Sequence, residues 1–141
     1  MDRAVVLRAL KAGVAGTAVL SLLLLGLEVQ TRSRVRVAEV LVAYVGTPGQ
    51  QPIAILIFVL VTAIVWPLAF VALDDRDLLP GRTRTRRAVI FALALAVAFA
   101  ITGRGELSGP VLVLYGAAVI GAYVAYGLTI ARMLRPRART D

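Results

Sequence analysis

Four long apolar runs, each bounded by charged or turn-forming residues, constrain this chain more than any other feature. Residues 4–27, 53–73, 86–102 and 111–131 approach or exceed the roughly 20 residues that cross a bilayer as a helix. Helices are the expected form, because a backbone in lipid must satisfy its own hydrogen bonds. Of the 141 residues, 60% are hydrophobic and the mean hydropathy is +0.86. Soluble domains hold about 45–50% apolar residues, so a soluble chain this short has no interior large enough for that surface. The expected fold class is an all-α membrane protein, a four-transmembrane-helix bundle forming a single domain over residues 1–141.

The boundaries have local causes. Pro52 and Pro110 stand at the starts of the second and fourth runs, where a missing N–H costs nothing. The third run is apolar only over residues 88–102, so Arg86 and Arg87 are expected to continue its helix and reach back to the headgroups. Residues 28–52 are too many for a bare connector. Within them Val37, Val40, Leu41, Tyr44 and Val45 recur at the spacing of one helical face, which predicts a short amphipathic helix over about residues 34–45 on the outer surface. Its start, "RSRVRV", alternates like a strand, but a lone strand has no ladder partner. The loop "DDRDLLPGRTRT", Asp74 to Thr85, is expected to anchor its flanking helices to anionic lipid through its arginines.

The net charge is +8, with sixteen basic residues against eight acidic ones. That balance in a soluble chain would suggest nucleic acid, but here the basic residues cluster at the ends of apolar runs, so no nucleic-acid partner is expected. With both termini in the cytoplasm, the inner side holds Arg3, Arg8, Lys11, Arg76, Arg82, Arg84, Arg86, Arg87, Arg132, Arg135, Arg137 and Arg139. The outer side holds Arg32, Arg34, Arg36 and Arg104. Twelve against four predicts a multi-pass protein of the cytoplasmic membrane with both termini inside. A cleavable signal is the competing reading of the first run, but that run is long for such a segment and no A-x-A-like site follows Leu27.

Candidate contact and site residues fall into two groups. Small residues recur at four-residue spacing: Ala12 and Gly16 in the first helix, Ala92, Ala96 and Ala100 in the third, and Ala117, Gly121 and Ala125 in the fourth. They are expected to be helix-packing positions, against neighbours in the chain or another copy, since small side chains let backbones approach in lipid. Glu28, Arg32, Arg104 and Glu106 fall near one membrane depth, the last two in "TGRGELSGP". An outer polar cluster of Glu28 with Arg104 and Glu106 with Arg32 would be a salt-bridge clasp, or the mouth of a ligand or proton site. Thr17 and Ser21 are expected to bond to carbonyls one turn earlier. Tyr115 is expected in the aromatic belt, Tyr123 and Tyr126 deeper with hydroxyl partners, and Pro67 at a kink.

No catalytic set emerges. Histidine and cysteine are both absent, which removes the commonest general base and thiolate chemistry, and no phosphate loop or metal-ligand spacing appears. We therefore expect no enzyme activity, no cofactor and no metal.

The segments "LKAGVAGTAVLSLLLLGLEVQTRS", "WPLAFVAL", "FAITGRGELSGPVLVLYGA" and "AYVAYG" resemble small four-helix integral membrane proteins of unknown function, known mainly from haloarchaea and other prokaryotes. The resemblance implies a fold and a membrane location, not an activity. Related proteins often carry a histidine before the last aromatic-glycine pair, where this chain has Tyr123, so a histidine-based role does not carry over. Small multidrug transporters are a contrast: they rely on a glutamate within the first helix, whereas Glu28 lies at that helix's end. The expected function is a non-enzymatic accessory, scaffolding or self-associating membrane subunit, with membrane lipid and a homo-oligomer or membrane-protein partner. A small channel or transporter with an outer charged vestibule is the alternative.

Overall fold

The computed structural model describes residues 3–31, 36–46, 49–103 and 107–134, and all its regular structure is helical. Five helices follow in order: α1 (Arg3–Gln30), α2 (Val37–Val45), α3 (Gln51–Asp75), α4 (Arg84–Gly103) and α5 (Gly109–Leu134). All except α2 are long and apolar enough to cross a membrane. Each long helix extends one to three residues past the apolar run at either end, because polar flanking residues such as Glu28 and Arg84 continue the helical turn.

The long helices form a ring. α1 packs along α5, α5 along α4, and the second half of α3 against both α1 and α4. The first half of α3 instead packs on α2, which also touches α4. The short helix thus fills the gap that α3 leaves beside α4 at the end of the bundle opposite the termini. Val40 and Leu41 of α2 are buried there, so α2 contributes to the core and does not merely lie on its surface. Gly46 closes α2 in a left-handed conformation, φ 81°, and returns its N–H to the Val42 carbonyl.

α3 changes pitch in its middle. Val61–Val65 forms a single π turn, and Trp66 N–H reaches back five residues to the Val61 carbonyl. Pro67 follows directly and has no N–H to give. The result is a break in the α-helical ladder at the point where α3 comes closest to α1.

The core is aromatic along its length. Phe99 lies 4.9 Å from Tyr44, 5.9 Å from Phe58 and 5.4 Å from Tyr123, ring centre to ring centre. Phe91 links Phe70 at 5.6 Å to Trp66 at 6.3 Å. Such offset and edge contacts add to the area the rings bury.

Candidate functional site

Three polar places stand out in this apolar frame. The first is at the π turn. Thr62 would normally offer its carbonyl to Trp66 N–H, but that donor is turned to Val61, and the next position is Pro67. The Tyr126 hydroxyl of α5 donates to this orphaned carbonyl. Thr17 of α1 donates to the Thr62 hydroxyl at 2.9 Å, and Thr62 donates in turn to the Phe58 carbonyl at 2.9 Å. Thr17 therefore bonds across to α3 and not to its own helix, against the sequence expectation. The three hydroxyls tie α1, α3 and α5 together at a buried point, and their hydrogen bonds lead to one another and to backbone carbonyls. That arrangement suits holding a helix break, since a buried carbonyl left unpaired costs about 1–3 kcal/mol.

The small-residue stripes sort themselves around this point. Ala12 and Gly16 lie in the buried face of α1, with Gly16 against the ring of Tyr126. Ala92 and Ala96 are buried in α4, and Ala92 meets Gly127 of α5; Ala100 is half-buried. The fourth-helix stripe is different. Ala117 and Gly121 are exposed and Ala125 is half-buried, because α5 turns Tyr115, Val119, Tyr123, Tyr126 and Gly127 inward instead. Tyr115 is also not in a surface belt: it is buried, and its hydroxyl donates to the Phe99 carbonyl at 3.1 Å.

The second place is the start of α2. Glu28 accepts a hydrogen bond from Val37 N–H at 3.4 Å, placing a carboxylate at the positive end of a nine-residue helix. A groove of about 220 Å³ runs beside it, walled by Leu24, Leu41 and Phe58, with Ser21 and Glu28 as its polar residues. Arg32, Arg104 and Glu106 lie outside the described residues, and with them the expected clasp. Burial raises the pKa of the nearby Tyr44 hydroxyl, partly offset by the indole N–H of Trp66. The two side chains are neighbours, yet the indole nitrogen has no hydrogen-bond partner of good geometry among the described residues.

The third place was not anticipated. Asp74, its side chain only 9% exposed, binds Arg84 at 3.1 Å and Arg87 at 3.0 Å. Arg87 also pairs with Asp77 at 2.7 Å and donates to the Gly81 carbonyl at 3.0 Å. Arg84 reaches on to the Leu134 carbonyl at 2.9 Å, a cation at the negative end of α5. Arg84 and Arg87 thus close the α3–α4 loop onto the bundle, where the sequence reading sent the loop's arginines to lipid and Arg87 to the headgroups. The available signal was three aspartates among those arginines.

No curated protein and no solved structure matches the chain. A family match runs over nearly the whole length, residues 3–140, and by it the chain belongs to the family of unknown function DUF6789.

Proposed function

We propose that the chain is a non-enzymatic integral membrane subunit of the cytoplasmic membrane that works by contact with copies of itself or with another membrane protein. The observation that carries this reading is the outward face of α5. Val113, Leu114, Ala117, Gly121 and Leu128 share that face and are exposed, and among the described residues no other helix comes within 4 Å of where a Gly121 side chain would begin. Small residues between larger apolar ones make a shallow groove into which a second helix packs in lipid. The lack of histidine and cysteine supports a role without catalysis.

The absence of native cysteine also makes the test clean. Gly121→Cys in native membranes should give an oxidative cross-link to a defined dimer or a stoichiometric partner, while Leu22→Cys, exposed on α1, should not. A chain that stays a solitary monomer in both variants, and in mild detergent, refutes the reading.

The groove beside Glu28 supports the second reading, a small channel or transporter. It predicts solute flux in liposomes that changes with Glu28→Gln, and flux equal to that of empty liposomes across a broad panel removes it.

A further inference from the structure

A cavity of about 200 Å³ opens at the termini end, where α1, α3, α4 and α5 converge. Its apolar walls come from Val5, Val71 and Leu134. Four charged residues complete the lining, and they divide into two kinds. Asp74 and Arg84 are bound to each other, and Arg84 also to the Leu134 carbonyl. Arg8 of α1 and Asp75 of α3 have no ion-pair partner among the described residues, and both are exposed.

Among the described residues the cavity therefore offers one free cation and one free anion from neighbouring helices, over an apolar floor. A ligand carrying only negative charge would gain from Arg8 but meet Asp75, and a purely cationic ligand would meet the reverse. A zwitterion answers both. Arg8 lies in the opening turns of the apolar run of α1 and Asp75 just past the end of that of α3, within reach of headgroup depth if these helices cross a bilayer. The zwitterions at that depth are phospholipid headgroups, in which a phosphate is linked to an amine. A guanidinium fits a phosphate through paired N–H donors, and a carboxylate accepts from a primary ammonium but gets no hydrogen bond from a quaternary one.

We propose that this cavity binds the headgroup of an aminophospholipid, with Arg8 on the phosphate and Asp75 on the primary ammonium. The proposal rests on the membrane reading above, and the two fail separately. Extraction of the chain by alkaline carbonate would sink the membrane reading whatever lipid preference is found.

The test is lipid retention by the full chain in detergent, read by native mass spectrometry against equimolar phosphatidylethanolamine, phosphatidylcholine and phosphatidylglycerol with identical acyl chains. Phosphatidylethanolamine should be retained about tenfold over the other two, the worth of one charge-assisted hydrogen bond. Asp75→Asn should abolish that preference, and Arg8→Gln should lower the retention of all three lipids, which share the phosphate. Both side chains are exposed and outside the Asp74 clamp, so an unchanged thermal midpoint shows that the variants are folded. Equal retention of the three lipids overturns the proposal, as does a preference for phosphatidylglycerol, a preference that survives Asp75→Asn, or retention that Arg8→Gln leaves unchanged. Free O-phosphoethanolamine distinguishes the source: displacement of the lipid means that a soluble phosphoamine also fills the site, and no displacement assigns it to the lipid.

Discussion

A hydrogen in place of a methyl group decides how closely α1 approaches α3. A side chain at Gly13 would begin well inside van der Waals contact distance of the Ala63 carbonyl oxygen and 2.5 Å from Pro67 Cγ. Neither neighbour can swing away, since one is backbone and the other a closed ring. Overpacking of well-filled cores costs about 1–3 kcal/mol, and rigid neighbours put this site at the upper end. Gly26 lies on the same helix with nothing within 4 Å. Gly13→Ala should therefore lower the thermal midpoint in detergent clearly, while Gly26→Ala leaves it unchanged or raises it. Equal behaviour of the two variants would mean that α1 does not sit on the α3 break.

At the scale of the element, the π turn and Pro67 act with Tyr126 as one device. Pro67 withholds a donor, the π turn diverts another, and Tyr126 replaces what Thr62 has lost. Tyr126→Phe should then cost about 1–3 kcal/mol, the penalty of one buried unpaired carbonyl. In a Pro67→Ala background an N–H is available again in α3, so the same substitution should cost measurably less. A double-mutant cycle in chemical unfolding reads this coupling directly, and additive effects would separate Tyr126 from the helix break. A break in the helical ladder was legible from Trp66-Pro67, and the four spans from their apolar runs. The inward face of α5 was not. In lipid the outside of a helix is as apolar as its inside, so small-residue spacing pointed to Ala117 and Gly121, whereas α5 buries Tyr115 and Tyr126, whose hydroxyls find carbonyl partners. Thr62, a lone hydroxyl in an apolar run, was passed over because its role exists only once Tyr126 faces it. The apolar face that carries Val40 and Leu41 was legible from its spacing, but the place between α3 and α4 that receives it was not, since it exists only once those helices pack.

For the whole molecule, the ring of helices places both termini and the α3–α4 loop at one end, and α2 with the α4–α5 turn at the other. The Asp74 clamp bears on how this charge asymmetry orients the chain. It neutralises Arg84 and Arg87, which takes the twelve basic residues that the sequence assigns to the inner side to ten with unclamped charge, against four assigned to the outer side. Orientation follows lysine and arginine number more than net charge, so the bias toward cytoplasmic termini survives the clamp. A chain without native cysteine lets single thiols report each side. Ser108 in the α4–α5 turn and Arg82 in the α3–α4 loop are both exposed, and neither is in the clamp. A membrane-impermeant maleimide should label Ser108→Cys in intact cells, and Arg82→Cys only after permeabilisation. The opposite pattern would invert the molecule and move the Arg8–Asp75 cavity to the outer leaflet, and labelling of both sites in intact cells would remove the four-span topology.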